Sequence, residues 1–440
     1  MRFHGTTKVN REGHLEIGSV DTLLLAEEFG TPLYVYDVAL IRERARDFRG
    51  TFEKLGVKAQ VAYASKAFSS VAMVQLAAEE GLSLDVVSGG ELFTALEAGF
   101  PAGKIHFHGN NKSLQELDMA IEAGVGCIVV DNFFELEMLE ELNASSQNPV
   151  NILLRVTPGI EAHTHDYILT GQEDSKFGFG LENGQAESAL LQAISSKCVR
   201  LLGLHCHIGS QIFETTGFVL AARKIYAKLY EWKQKHGFEP EVLNLGGGFG
   251  IRYTAEDEPI PATSYVESIV EEVKQQVESL GMKMPEIWIE PGRSLVGDAG
   301  TTLYRTGSRK EVPEIRQYLS IDGGMTDNIR PALYQAKYEA VLAGRVLEDP
   351  EETVAIAGKC CESGDMLIWD LQLPKAEKGD ILAVFCTGAY GYSMANNYNR
   401  IPRSAVVFVE NGDARIVVQR ETFKDMVRLD LPLKEKVNSK

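Results

Sequence analysis

A single amine is the first group in this chain that could do covalent chemistry. Lys66 follows the apolar run Val61-Ala62-Tyr63-Ala64 and precedes Ser69 and Ser70, either of which can cap a helix, so it falls where a buried strand stops. A lysine there is either a solvated connector or, at the strand-end rim of a barrel of alternating strands and helices, a desolvated amine able to lose its proton and attack a carbonyl. Two later loops offer a partner chemistry. Gly246-Gly247-Gly248-Phe249-Gly250 lets backbone N–H groups approach phosphate oxygens, and Glu290-Pro291-Gly292-Arg293 adds a guanidinium fork. The glycine spacing does not fit the dinucleotide fingerprint G-x-G-x-x-G, and a glycine cluster alone is a tight turn more often than a phosphate site.

His205-Cys206-His207-Ile208-Gly209-Ser210-Gln211 closes another apolar run, and strand alternation puts His205 and His207 on one face with Cys206 on the other. Neighbouring imidazoles can bind zinc, and His106/His108 and His163/His165 repeat the spacing, which keeps a barrel metallohydrolase open. Against it, no carboxylate accompanies these pairs as a bridging ligand, and a metal explains neither Lys66 nor the glycine loop; no metal is expected. Lysine, phosphate cradle, flat imidazole and the glutamate beside the arginine together suit pyridoxal 5′-phosphate (PLP), an aldehyde with a phosphate handle. Asp85, in Asp85-Val86-Val87-Ser88-Gly89-Gly90-Glu91, adds a carboxylate to the same rim.

The elements that must position these groups are regular. Apolar runs at 61–65, 82–88, 104–108, 125–130, 150–156, 199–206, 241–245 and 286–290 alternate with helical stretches, which predicts a (β/α)8 TIM-like barrel. Their span, roughly 230 residues, is near the usual barrel size of about 250. The segments Glu91 to Gly99, Leu114 to Gly124, Phe218 to Gly237 and Tyr265 to Gly281 read as amphipathic helices, each ending at a glycine able to take the left-handed cap. Counting strands makes the glycine loop the seventh strand's exit and the arginine loop the eighth's, the pair that commonly forms a phosphate site in such barrels. The long connection Gly159 to Glu182 lies on that same face.

Beyond Gly297 short β-rich runs take over, as in 317–321, 340–342, 381–385 and 405–409. The expected division is a barrel at 36–296 and a second all-β domain, sandwich or barrel-like, from 1–35 and 297–440. The N-terminal segments 13–18 and 32–36 read as strands of a sheet completed elsewhere, with no crossover helix after the first. Acidic residues outnumber basic ones by 62 to 44, for a net charge of -18, which argues against nucleic-acid and anionic-membrane partners and for small molecules. No apolar run reaches signal-peptide or membrane-span length, and six unevenly spaced cysteines do not make a disulfide framework, so a cytoplasmic location is expected.

The sequence resembles the fold-type III PLP decarboxylases over nearly its whole length, and within them those that act on diaminopimelate. The resemblance is carried by Tyr63-Ala64-Ser65-Lys66-Ala67, the stretches 85–91, 205–211, 246–250 and 290–293, Arg330-Pro331-Ala332-Leu333-Tyr334, Cys361-Glu362-Ser363-Gly364-Asp365 and Gly388-Ala389-Tyr390. One departure is Thr157, where the common form Arg-Val-Asn-Pro-Gly has Asn. The family likeness implies that Lys66 holds PLP, that His207 stacks on its ring, and that Glu290 faces the pyridine nitrogen. It implies further that Asp85, Ser210, Gly247, Gly248, Gly292, Arg293 and Tyr390 hold or neighbour the cofactor. Substrate contacts would come from Arg293, Arg330, Tyr334, Glu362 and Tyr390, the second amino-carboxylate group of meso-diaminopimelate needing both a guanidinium and a carboxylate. Cys361 would protonate the carbanion from the opposite subunit of a homodimer with shared sites.

Other readings stay open at this level. An ornithine- or arginine-type decarboxylase needs only to pair a distal cation. A racemase needs a second base and a cramped pocket. An inactive regulatory relative has no use for Lys66, Glu290 and Cys361 together. Found alone, Arg330, Tyr334 and Glu362 are a surface arginine, a packed tyrosine and a turn glutamate, and Cys360-Cys361 is a structural pair of neighbours that geometry keeps from bridging well.

Overall fold

The computed structural model describes residues 3–160 and 175–433. The pair His163/His165 and most of the connection 159–182 lie outside them. The chain divides into two compact units, one built on Val38–Ala299 and Gly388–Ser393, the other on Thr6–Asp37, Gly300–Thr387 and the chain from Met394.

In the first unit, eight parallel strands follow one another around a closed sheet: β1 (Ala59–Ala64), β2 (Ser83–Val86), β3 (Ile105–Phe107), β4 (Cys127–Val130), β5 (Val150–Thr157), β6 (Val199–His205), β7 (Val242–Asn244) and β8 (Glu286–Ile289). Closure comes from β8 pairing β1, Ile289 opposite Val61. All eight fall on the apolar runs, because a parallel strand buried on both faces needs no polar alternation. Cys127, Val129, Leu153, Leu202, Val242 and Trp288, from five strands, pack into one apolar cluster.

Register then sets the chemistry at the rim. Ala64 pairs Asp85, Asp85 pairs His106, Arg155 pairs His205 and His205 pairs Asn244, so one layer of the barrel collects polar side chains from successive strands. The crossover helices start at sequence-local caps. Ser70 accepts from the N–H of Met73, Ser88 from Glu91, and Ser113 forms a capping box with Glu116. Three helices, Leu114–Ala123, Thr216–His236 and Ala262–Leu280, end on Gly124, Gly237 and Gly281, each left-handed, as the spacing predicts. The helix Gly89–Glu97 stops on Ala98 instead, one residue before the left-handed Gly99.

The second unit is mostly sheet. Leu33–Asp37 lies between Gly300–Val312, antiparallel to it, and Ala405–Glu410, parallel to it, so this N-terminal strand does complete a sheet made by distant sequence. Leu15–Ile17 differs: it joins a small sheet with Lys8–Val9 and Val20–Asp21. A helix, Thr22–Phe29, follows it, against the expectation of none; Asp21 accepts the N–H of Leu23 and caps it. A short helix at Arg330–Tyr334 falls between strands, and another, Phe423–Val427, follows the last strand. Among the described residues no helix is long and apolar enough to cross a membrane.

Candidate active site

Lys66 sits in a single 3-10 turn, Ser65–Ala67, directly after β1. The turn is tied to the next crossover: Ser65 Oγ donates to Glu91 Oε2 at 2.9 Å, and the same oxygen accepts the N–H of Val87 at 2.8 Å. Solvent reaches the Lys66 side chain, yet its ammonium is enclosed by protein like an interior group. Burial and Arg155 act to release its proton, but Tyr390, Asp85 and Glu290 outweigh them, and the amine's pKa is raised. Before cofactor binds, these neighbours therefore favour the charged form of the Lys66 amine.

Glu290, just past β8, is the best-held of those acids. Its Oε1 accepts Asn244 Nδ2 at 2.6 Å and lies 2.9 Å from His108 Nε2, while Oε2 is 3.1 Å from His205 Nε2. Burial pushes its pKa up, but the two imidazoles pull harder and hold it well below the usual carboxylate range. Asp85, 3.7 Å from His108, goes the other way: burial and the nearby Glu290 charge push it up to about 6.

This grouping corrects the objection to a metal site that no carboxylate accompanies the histidine pairs, since the donor atoms of His108, His205 and Glu290 lie within 4.8 Å of one another. Each pair, however, sends only one ring there. His106 stacks on Trp288, ring centres 4.1 Å apart, with Nε2 3.0 Å from Gln60 Oε1, and His207 Nδ1 accepts the N–H of Gly247 at 3.2 Å. Neither His-x-His unit is arranged to chelate.

The glycine loop is packed too tightly for any side chain. A Cβ on Gly246 would stand 2.5 Å from the Cys206 carbonyl, on Gly247 2.0 Å from that of Glu290, and on Gly248 2.2 Å from that of Gly209. Gly246 and Gly248 also have φ of +69° and +106°, which favour glycine. Gly292 faces Ala64, its Cβ position 3.0 Å from the alanine methyl. Beside the loop, Arg293 Nη2 donates to Ser210 Oγ at 3.0 Å and Nη1 to the Tyr253 hydroxyl. Its guanidinium carbon lies 4.9 Å from the centre of the Tyr390 ring. Tyr390 is held by donating its N–H to Ala67 at 2.8 Å, with a left-handed φ of 59° that few non-glycine residues adopt.

These residues fit PLP. Arg293 Nε and Asp85 Oδ1 are buried without hydrogen-bond partners, a donor and an acceptor with spare capacity beside the glycine loop and Lys66. His207 is neutral, because burial and the Lys66 charge lower its pKa well below the usual value, and the Gly247 N–H fixes its bare Nδ1. A flat uncharged ring suits stacking.

The remaining candidates lie in the second unit. Arg330 is 9 % exposed, donates through Nε to the Tyr338 hydroxyl at 3.0 Å and lies over the Tyr334 ring at 5.6 Å. Cys361 and Glu362 are exposed on a turn whose Cys361 N–H donates to Asn399 Oδ1 at 2.7 Å.

Several site residues were not singled out from sequence: Glu91, Asn244, Tyr253 and Arg155. Asn244 had a local signal, standing two residues before the glycine loop and accepting the Gly246 N–H at 2.9 Å. Arg155, stacked on Phe177 at 4.2 Å, had only its place at the end of β5.

A family profile described as pyridoxal-dependent decarboxylase, pyridoxal binding domain, matches residues 38–297. The chain is 74% identical over 421 residues to the diaminopimelate decarboxylase of Bacillus methanolicus, covering 96% of this chain and 98% of that one. It is 69% identical over 434 residues to that of Bacillus subtilis (strain 168), covering 99% of each. Among solved structures, a diaminopimelate decarboxylase from m. jannaschii in co-complex with L-lysine superposes with a TM-score of 0.91 at 36% identity, covering 97% of this chain and 98% of that chain.

Proposed function

The chain belongs to the pyridoxal-dependent decarboxylase family, and from there we propose a site in which Lys66, Glu290, His207 and Arg293 hold the cofactor while Arg330, Tyr334 and Glu362 select the substrate. The reaction is the PLP-dependent decarboxylation of meso-2,6-diaminopimelate to L-lysine and carbon dioxide, the last step of lysine biosynthesis. The observation that carries the site assignment is the convergence of Lys66 with Asp85, Glu290 and Tyr390 at one barrel rim.

When bound, PLP supplies an electron sink for the pair left on Cα as carbon dioxide departs. The chain's own groups do the rest. Lys66 Nζ would hold the cofactor. Glu290, kept ionised, holds a proton at the ring nitrogen. His207 would stack on the ring, and the 246–248 loop, Ser210 and Arg293 would take the phosphate, with Gly292 leaving room beside Ala64. Arg330 offers a fork to the distal carboxylate with Tyr334 beneath it, Arg293 and Tyr390 stand on the barrel side, and Glu362 takes the distal ammonium. Cys361 returns a proton to Cα. Following the family resemblance, we assign the chain to a homodimer with shared sites, and its biosynthetic reaction to the cytoplasm.

The test is to incubate the purified protein with PLP and meso-diaminopimelate and measure carbon dioxide and lysine, which should appear in equal amounts. A preference for ornithine or arginine over diaminopimelate would overturn the substrate assignment.

A further inference from the structure

We propose that His108 and His205 form a two-imidazole clamp, each gripping one oxygen of Glu290, and that this clamp is what presents a charged carboxylate to the ring nitrogen of the cofactor. The inference rests on the reading of Glu290 as the partner of that nitrogen and adds two positioning residues to it.

The geometry is specific. His205 ends β6, two strands from Glu290 in the sheet, whereas His108 directly follows β3. Their rings meet edge to face at 5.0 Å, and their Nε2 atoms reach different oxygens of the same carboxylate, His205 at 3.1 Å and His108 at 2.9 Å. All three residues are buried, at 1 % exposure for His205, 4 % for His108 and 7 % for Glu290. Asn244 contributes a third, neutral contact to Oε1 at 2.6 Å. His106, one turn of the pleat below His108, is excluded, its Nε2 being occupied by Gln60.

Without these imidazoles, a carboxylate so enclosed and sharing its surroundings with Asp85 would take up a proton. The other charged or titratable groups that face it are Lys66 and Arg155, which favour its charge, His106, which burial keeps neutral with a pKa lowered to about 3, His207, likewise neutral, and the thiols of Cys127 and Cys206, which burial keeps protonated. The two grips differ in kind: His205 Nε2 is hydrogen-bonded to Oε2, whereas His108 Nε2 stands at ion-pair distance from Oε1 without hydrogen-bond alignment. His205 Nδ1 is buried with no partner among the described residues, and a bare nitrogen there, with the proton on Nε2 facing Glu290, avoids an unpaired interior N–H.

The experiment uses the holoenzyme. His108→Phe and His205→Phe keep ring volume and remove the donor, and His205→Gln keeps an amide N–H. With PLP loaded, the phenylalanine variants should lose about 10- to 100-fold in kcat with KM moved less than about 3-fold. The cofactor's visible band should stay constant with pH in the parent and become pH-dependent near neutrality in these variants, with activity rising as pH rises and Glu290 ionises. His205→Gln should recover most of the loss. Phenylalanine variants with the parent's kcat and a pH-independent band would overturn the clamp. Glu290→Gln separates the two levels: if it turns over like the parent, the assignment of Glu290 itself fails. Should the phenylalanine variants not fold by circular dichroism, nitrogen NMR of the histidine-labelled parent decides, protons on Nε2 of both rings supporting the clamp and bare Nε2 on both overturning it.

Discussion

Asp365 Oδ2 accepts the backbone N–H of Cys360 at 2.8 Å, so a buried carboxylate fixes the start of the turn on which Cys361 is exposed. The other oxygen accepts the N–H of Met325 at 2.6 Å. Gly324 and Gly358 pack against it so closely that a Cβ on either would lie 2.5 Å or 2.1 Å from the carboxylate. Asp365→Ala removes two charge-assisted acceptors and leaves those buried N–H groups unpaired, at about 1–3 kcal/mol each. The variant should melt at lower temperature, and its kcat should fall while PLP binding, measured by absorbance, stays at the parent level. Loss of cofactor in parallel would show that the turn is not a separate support for Cys361.

Cys361 and Lys66 should complement one another between subunits. Lys66→Ala and Cys361→Ala, each inactive, are mixed under conditions that allow exchange; one of the two sites in a mixed dimer then has both groups, and partial activity should return. A mixture that stays inactive although heterodimers form places Cys361 in its own subunit's site.

Arg330→Ala should raise KM for diaminopimelate by roughly 100-fold, the scale of one charged fork lost from a partly desolvated site. Ornithine, which has no distal carboxylate, should not lose turnover in parallel. Steady-state kinetics with both substrates checks this, and equal losses on both would remove Arg330 from the distal pocket.

Borohydride should fix the cofactor to Lys66 and bleach a yellow protein. Peptide mapping that placed the label on another lysine would displace Lys66 from its role. A colourless protein with stoichiometric zinc would favour the metal reading instead.

Asp85 should cost the cofactor-free protein stability at neutral pH. Its folded pKa is pushed up to about 6 from an ordinary value of 3.8, so the native state binds its proton more tightly than the unfolded chain does. Stability from this group is therefore full below pH 3.8 and falls as pH rises to about 6. Asp85→Asn should raise the cofactor-free protein's stability by about 1–3 kcal/mol at pH 7 and by little at pH 3.5. Melts at the two pH values measure it, and an equal change at both would show that ionisation of Asp85 is not the cause.

Most of the barrel was legible because both-face burial writes each parallel strand as an apolar run, and caps such as Ser70 and Ser113 are local. The rim residues Lys66, Glu290 and Arg293 were legible through strand counting. What binds Glu290 was not, because His108, His205 and Asn244 come from three strands and only barrel register brings them together. The electrostatics around Lys66 were hidden for a related reason: burial is readable from an apolar run, whereas the carboxylates of Asp85 and Glu290 that oppose it arrive from other strands. The helix Thr22–Phe29 was passed over although Asp21 is an ordinary cap, since Leu23-Leu24-Leu25 shows no sharp periodicity.

The barrel's own unit includes Gly388–Ser393, far along the chain from its last strand. All eight strands have left the ribosome soon after Ile289 is made, but the aromatic face over Arg293 and the hydrogen bond that Tyr390 gives to Ala67 are still untranslated. The cofactor cradle therefore acquires its Tyr390 wall only long after the last barrel strand has been made.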